Sequence, residues 1–210
     1  KKVGDMALNN LIFHLGLAEI PSYWKATCSP VIEIRAGYLN REQISWWKDL
    51  IIKGMGQFFY ENKIPFQKPA FKINFQQKPA ITGINFQDRI LAPVGGGKDS
   101  IVTLEILKKA KKEFSPFSLN PTEAVKKIIK ISGLKNSIIV KRKIDKKLLE
   151  LNRKGFLNGH TPFSAYLAFL SVLAAAIFNY KYIAFSNEKS ADEGNLKYLG
   201  KTINHQWSKS

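Results

Sequence analysis

Six residues between a short apolar run and a helical run carry the clearest chemical signal in the sequence, Gly95-Gly96-Gly97-Lys98-Asp99-Ser100. Consecutive glycines allow positive φ angles and let backbone N–H groups converge on an anion without Cβ atoms in the way. The helix that follows adds its unpaired N–H groups and its dipole. Ser100 adds a hydroxyl donor and Lys98 a positive charge, whereas the carboxylate of Asp99 suits phosphate only with a cation such as Mg²⁺ between them. The pattern therefore predicts a Mg-ATP site with Asp99 as metal ligand.

Two other phosphate-binding motifs do not fit these residues. The P-loop requires Ser or Thr after its Lys, but Asp99 follows Lys98, and no glycine stands at the required distance before Gly97. The dinucleotide fingerprint requires a third glycine where this chain has Ser100. One alternative stays open, in which the glycines form only a turn and Asp99 only caps a helix.

A strand–helix rhythm surrounds the glycines. Apolar strands are predicted at 90–94, 114–119, 137–140 and 181–185. Helices are predicted at 101–111, after Asn120 as helix cap, after Asp145 as helix cap, and after Thr161. Such alternation predicts an α/β fold with a mainly parallel sheet and helices on both faces. Because loops at the carboxyl ends of parallel strands share one edge of the sheet, we expect 186–191 on the same edge as the glycines.

The N-terminal part has a different pattern. We predict a helix over 8–26 that is interrupted near Pro21, a strand at 30–34, and a helix capped by Asn40 that carries a buried face as far as Phe58. Alternating residues at 71–75 and 81–86 predict a hairpin or two edge strands. We therefore divide the chain into a smaller N-terminal α+β region, 1–88, and a nucleotide-binding domain, 89–210.

Composition narrows the class of protein. The net charge is +17, but only five of the 33 basic residues are Arg. Lys in such excess favours a solvated basic surface over attraction of an anionic substrate, and argues against a nucleic-acid partner. The single Cys28 excludes an internal disulfide and suits a reducing cytoplasm, and no signal peptide is visible. The uncharged run 161–180 approaches the length of a membrane span, but its polar residues and the strand after it favour a helix buried in an α/β core, without membrane insertion.

The glycine segment is similar to the Ser-Gly-Gly-x-Asp-Ser loop of the PP-loop ATP pyrophosphatases, with Gly95 where that family usually has Ser. The resemblance implies a PP-loop fold and an enzyme that splits ATP between its α and β phosphates, adenylates an acid or carbonyl oxygen and releases pyrophosphate. It also implies that the loop binds ATP, with Gly96, Gly97, Asp99 and Ser100 around the pyrophosphate portion.

Six blocks together resemble a narrower family, the bacterial UDP-N-acetylmuramoyl-L-alanyl-L-glutamate epimerases. The blocks are His-Leu-Gly from His14, Ser-Tyr-Trp-Lys-Ala from Ser22, Gly-Gly-Gly-Lys-Asp-Ser from Gly95, Asn-Gly-His-x-Pro from Asn158, Ser-Asn-Glu-x-Ser-Ala from Ser186, and Asn-His-Gln-x-Ser-Lys-Ser from Asn204. Members of that family are considerably longer, so the resemblance implies that a C-terminal part is absent here. The implied activity is ATP- and Mg²⁺-dependent inversion of the terminal L-Glu of UDP-N-acetylmuramoyl-L-Ala-L-Glu through an adenylated carboxylate, in peptidoglycan precursor synthesis.

The resemblance also suggests roles for the remaining polar residues. Candidate proton carriers are Glu188, His160 and His205, because each type can act near neutral pH when its pKa is tuned. Cys28 is a weaker candidate, since cofactor-free racemases often pair two Cys. Candidate substrate-binding residues are Ser186, Asn187 and Ser190. Each of the three proton carriers also has a plain structural interpretation: His160 as a helix cap, Glu188 as a solvated charge and His205 as a surface residue.

Two other functions stay open on the sequence. One is a different PP-loop enzyme, either an amide-forming ligase or a tRNA-modifying enzyme; the positive charge favours tRNA, but sulfur transfer would need a second Cys. The other is a nucleotide-binding module without catalytic activity.

Overall fold

The computed structural model describes residues 3–75, 83–134, 136–187, 189–194, 196–204 and 207. The chain divides into two compact units. The four-stranded unit consists of residues 1–8, 82–143 and 167–188, and the second unit of residues 9–81, 144–166 and 189–210. The domain boundary at residue 88 stays a prediction.

The helices and strands have the following bounds. In chain order they are α1 (Asp5–Trp24), β1 (Val31–Ile34), α2 (Arg41–Gly54), α3 (Gly56–Glu61), β2 (Ala70–Ile73), β3 (Gln87–Pro93), α4 (Lys98–Lys109), β4 (Phe114–Leu119), α5 (Glu123–Ile131), β5 (Ile138–Val140), α6 (Lys146–Arg153), α7 (Phe163–Phe178), β6 (Tyr180–Ile183), a 3₁₀ helix (Lys189–Asp192), β7 (Leu196–Tyr198) and β8 (Lys201–Ile203).

The four-stranded unit contains a parallel sheet in the order β5-β4-β3-β6. In its register Ile90 pairs with Phe114, Leu91 with Ile183, and Phe117 with Ile138. The first five residues of β4 are all buried, as expected for a parallel strand that is covered on both faces. The predicted mixed α/β fold with a parallel sheet is therefore confirmed.

One face of this sheet is covered by α4 and α5. Leu104 of α4 and Val125 and Ile129 of α5 pack with Ala92, Val94 and Phe114 in one buried cluster. Right-handed crossovers put both helices on this face, because the chain moves from β3 to β4 to β5 in one direction. The chain then returns to β6 on the other side of β3, so the same rule assigns residues 167–178 of α7 to the opposite face.

In the second unit the sequence signals around Asn40 are confirmed. The Asn40 side chain accepts from the backbone N–H of Gln43 at 2.8 Å, and the Gln43 side chain accepts from that of Asn40 at 2.9 Å, which completes a capping box. The buried face expected to reach Phe58 is present, but the helix breaks at Met55, with φ −107° and ψ 16°. Met55 and Phe58 are fully buried, so packing holds two shorter helices along the line predicted for one.

Three details of the sequence interpretation are wrong, and one pair of strands was missed. The strand predicted at 71–75 is present as β2, but it pairs in parallel with β1 and does not form a hairpin; of the predicted partner, 81 and 82 lie outside the described residues and 83–86 form no regular structure. Helix α1 runs through Pro21 to Trp24 without interruption. Helix α5 is capped by Thr122, whereas Asn120 has φ +44° and its amide exchanges two hydrogen bonds with the backbone of Arg142. The antiparallel pair β7–β8 was not predicted.

None of the helices in the part of the chain that the structure describes combines the length and the apolar character needed to cross a bilayer. Helix α7, which contains most of the uncharged run, is sixteen residues long and buries Leu170, Ser171 and Ala174.

We expect Asn40→Ala to lower the free energy of unfolding by about 1 kcal/mol, because the backbone N–H of Gln43 loses its acceptor, the Asn40 side-chain oxygen. Urea unfolding followed by circular dichroism measures this loss. The control is Asn40→Gly, which should cost only about a few tenths of a kcal/mol. Equal stability of wild type and Asn40→Ala would contradict the role of the capping box.

Candidate functional site

The glycine segment forms the connection between β3 and α4. Val94, the residue before the glycines, is held by strand β4. Its N–H donates to the Phe117 carbonyl at 2.8 Å, and its carbonyl accepts from the Ser118 hydroxyl at 3.1 Å. Gly96 has φ +90°, a conformation that favours glycine, and a Cβ atom there would lie 3.0 Å from a Val125 methyl group. The bend therefore depends on the strand before it and on a glycine at its centre.

The other two glycines border open space. A Cβ atom added at Gly95 or at Gly97 would meet no other atom within 4 Å. Within the described residues, none of the amide groups of Gly95, Gly96 and Gly97 donates a hydrogen bond. Backbone donors on an exposed bend before a helix N-terminus form the kind of surface that binds anionic oxygens.

Three polar side chains follow at the start of α4. The Ser100 hydroxyl donates to the Gly97 carbonyl at 2.8 Å, which ties the first helical turn to the bend. The Lys98 ammonium lies 2.7 Å from a carboxylate oxygen of Asp99. Lys98 is largely exposed and Asp99 is partly so. This pair offers one cation and one carboxylate beside the glycine amides.

A metal ion would have to bind here without a ready-made cluster. No group of three or more His, Cys, Asp or Glu side chains is arranged around a common point in the described ranges. Mg²⁺ is usually held by one or two carboxylates together with substrate phosphates and water. Asp99 alone therefore suits a Mg²⁺ ion that arrives with a polyphosphate.

The loop after β6 lies beside α4. The Ala184 N–H donates to the Leu91 carbonyl at 2.9 Å and extends the pairing of β6 with β3. The Ser186 hydroxyl lies 2.7 Å from that of Thr103, which is part of α4. Of the predicted stretch 186–191, residues 186 and 187 follow the carboxyl end of β6 in the same unit as the glycine bend, whereas residues 189–191 belong to the second unit. Thr103 had not been identified from the sequence, because a lone Thr inside a helical pattern gives no signal.

The other predicted site residues are not brought to this bend by the four-stranded unit. His160 belongs to the second unit, in the segment before α7. Ser190 also belongs to the second unit, within the 3₁₀ helix. Glu188 and His205 lie outside the described residues. The site predictions for these four residues stay predictions.

Burial changes the acid–base properties of two residues in the second unit. Desolvation raises the pKa of the Cys28 thiol, which disfavours the thiolate needed for proton transfer. Desolvation also lowers the pKa of His14, whose ring stacks on Trp47 with centroids 6.1 Å apart. Both shifts follow from apolar surroundings and are consistent with structural positions.

Comparison with known proteins identifies the family to which this chain belongs. The sheet places the chain among the α/β proteins with a parallel sheet, in which ligands commonly bind at the carboxyl ends of the strands. The chain belongs to the MurL N-terminal domain family, whose sequence profile matches residues 2–210. The resemblance drawn from the six sequence blocks is thus confirmed.

Three curated relatives carry the name UDP-N-acetyl-alpha-D-muramoyl-L-alanyl-L-glutamate epimerase. The proteins from Micromonospora sp., Salinispora tropica and Xanthomonas oryzae pv. oryzae are 38%, 33% and 31% identical over 75%, 90% and 90% of this chain. The aligned regions cover only 35%, 41% and 42% of those proteins, so the chain spans well under half of their length. No solved structure shows a significant match.

The lowered pKa of His14 predicts a pH-dependent stability. Below its ordinary value of 6.5, the unfolded state binds a proton that the folded state resists, so the free energy of unfolding falls as the pH decreases. We expect His14→Gln to remove part of this dependence, as measured by urea unfolding at pH 7 and at about pH 5. A wild-type stability that is equal at both pH values would contradict this interpretation.

Proposed function

We propose that this chain is part of an epimerase that inverts the terminal L-Glu of UDP-N-acetylmuramoyl-L-Ala-L-Glu, a precursor of peptidoglycan. Family membership and the names of the three relatives support this proposal. The observation that carries it is the open glycine bend between β3 and α4. Within the described residues its glycine amides donate no hydrogen bond, and Cβ atoms at Gly95 and Gly97 would point into open space. We further propose that the four-stranded unit has a PP-loop fold that binds ATP.

The residues of the bend fit a magnesium-bound nucleotide. The amides of Gly95, Gly96 and Gly97 would hold phosphate oxygens, and the start of α4 adds its partial positive charge. Lys98 would balance the phosphate charge and Asp99 would hold Mg²⁺. The space beside Gly95 and Gly97 is the feature that any larger residue would fill.

The proposed ATP would make the α proton of the terminal Glu easier to remove. An α proton beside an ionised carboxylate is very weakly acidic, because its removal places negative charge next to negative charge. ATP supplies adenylation of that carboxylate, which cancels the charge and makes the carbonyl a better electron sink. A base can then remove the proton, an acid can return a proton to the opposite face, and water can hydrolyse the adenylate to the free carboxylate and AMP. Because the proposed substrates are nucleotides of the cell interior, we propose a cytoplasmic reaction.

The chain's own residues would hold the substrate and move the proton. Ser186 and Asn187 follow β6 in the unit that contains the bend, which supports a role in binding substrate. We retain Ser190 as a third proposed substrate contact. Glu188, His160 and His205 remain the proposed proton carriers, as chemically suitable side chains in the blocks that resemble the family.

The full-length protein should release pyrophosphate in a manner that depends on both ATP and the UDP-linked dipeptide. In deuterium oxide, the α position of the terminal Glu should acquire deuterium as D-Glu appears. Pyrophosphate release without exchange at the α carbon would contradict epimerisation and point to another adenylating enzyme. Binding of ATP without any pyrophosphate release would favour a non-catalytic module.

Gly97→Val should lower substrate-dependent pyrophosphate release by at least about tenfold, because its side chain occupies the space beside the amide donors. The substitution leaves the interior untouched, so circular dichroism should show a folded protein. Gly83→Val is the matched control, since Gly83 also borders open space but lies outside the bend. A folded Gly97→Val enzyme with the wild-type rate would exclude the bend as the nucleotide site.

Asp99→Asn should lower the rate of AMP formation about tenfold or more, because an amide is a poor substitute for a carboxylate as a Mg²⁺ ligand. Asp88→Asn serves as control, since Asp88 is an exposed carboxylate of the same unit that also pairs with a lysine, Lys181. Raising the Mg²⁺ concentration should partly restore Asp99→Asn. Equal rates for wild type and Asp99→Asn would remove Asp99 from the mechanism.

A further inference from the structure

A basic loop lies at the same edge of the four-stranded sheet as the glycine bend. It consists of Lys141, Arg142 and Lys143, which directly follow the last residue of β5 and belong to the same unit as the bend. Because β3, β4 and β5 are neighbouring parallel strands, their carboxyl ends lie side by side. A strand spacing of about 4.8 Å places this β5 loop roughly 10 Å from the bend along the edge.

Asn120 holds the β5 loop in a defined conformation. Its backbone N–H donates to the Val140 carbonyl at 2.9 Å, in continuation of the pairing of β4 with β5. Its side chain then takes the place of the next β4 residue, because Nδ2 donates to the Arg142 carbonyl at 2.9 Å and Oδ1 accepts from the Arg142 N–H at 3.0 Å. Asn120 has φ +44°, a left-handed conformation that Asn adopts more readily than most residues. The backbone of the loop is therefore held beyond the point where β5 ends.

The charge around this loop has one sign. Between Glu123 and Asp145 the sequence has seven basic residues and no acidic residue. The seven are Lys126, Lys127, Lys130, Lys135, Lys141, Arg142 and Lys143. Glu123 is already paired with Lys126 at 2.6 Å, whereas Lys141 and Lys143 are exposed and, within the described residues, neither pairs with a carboxylate. Two such ammonium groups on a held backbone raise the local concentration of anions.

A diphosphate is the anion that suits two neighbouring ammonium groups, since each of its phosphates carries negative charge. The proposed reaction has two sources of linked phosphates, ATP and the UDP-linked dipeptide. The phosphorus atoms of ATP are joined through single oxygens and span less than the distance from β3 to β5. In the dipeptide substrate, a sugar and a peptide separate the diphosphate from the reacting carboxylate. That separation suits two anion sites on one edge of the sheet.

We propose that Lys141 and Lys143 bind the diphosphate of the UDP-linked dipeptide while the glycine bend binds ATP. This inference rests on the proposed epimerase function and adds a second anion site to the same edge. Asn120 is a positioning residue, which acts through the backbone of Arg142 and does not contact the substrate.

The kinetic test uses the double variant Lys141→Met/Lys143→Met in the full-length protein. Met keeps most of the aliphatic stem but removes the ammonium, so the KM for the UDP-linked dipeptide should rise at least about tenfold. The KM for ATP and kcat should stay near the wild-type values. The matched control is Lys109→Met/Lys112→Met, which removes two exposed lysines of the same unit between α4 and β4, at the opposite edge of the sheet.

A second measurement needs no activity. UDP is titrated calorimetrically into the full-length protein in the presence of saturating α,β-methylene-ATP, which occupies the ATP site and resists cleavage between its α and β phosphates. The Kd of UDP should rise at least about tenfold in Lys141→Met/Lys143→Met and stay unchanged in the control. Asn120→Gly, which keeps the left-handed backbone accessible but removes both side-chain bonds, should raise it about threefold because the loop is no longer held.

The outcomes separate the two proposals. Equal UDP affinity of wild type and Lys141→Met/Lys143→Met, or no measurable UDP binding by wild type, would overturn the diphosphate site. A KM that rises for ATP and not for the dipeptide would also overturn it and assign the β5 loop to ATP. A wild-type protein without substrate-dependent exchange would instead overturn the proposed function. In that case the UDP titration still decides whether the β5 loop binds a diphosphate.

Discussion

The direction in which the chain crosses its parallel sheet determines the candidate site. From β3 the chain moves outward through β4 to β5, and it returns to β6 on the other side of β3. The ends of β3 and β6 therefore lie side by side, with Ala184 still bonded to Leu91 beyond the last residue of β6. This change of direction brings the glycine bend, which follows β3, and the loop after β6 to the same edge of the sheet.

The sequence predicts a structural feature well when the residues that determine it are close together in the chain. The capping box at Asn40 and the strand–bend–helix at Gly95–Ser100 depend on residues within one or two turns, and the structure contains both. Asn120 looked like a helix cap by the same local rule, but its amide pairs with Arg142, 22 residues further along the chain. Only the folded sheet brings these two residues together.

The candidate site shows the same division between local and distant determinants. Three adjacent glycines before a helix are visible in any sequence, because backbone freedom is a property of the residue type. Thr103 carries no such mark, since its contact is with Ser186, which is distant in the chain.

The contact between Lys98 and Asp99 has a thermodynamic consequence. While the ammonium and the carboxylate neutralise each other, neither charge is fully available to a ligand. An anion that attracts Lys98 leaves the carboxylate uncompensated and thereby raises its affinity for a cation, and a cation on Asp99 raises the affinity of the ammonium for an anion. Linkage requires the two effects to be equal in free energy. If both ions bind here, such a pair would favour joint occupancy over the capture of either ion alone.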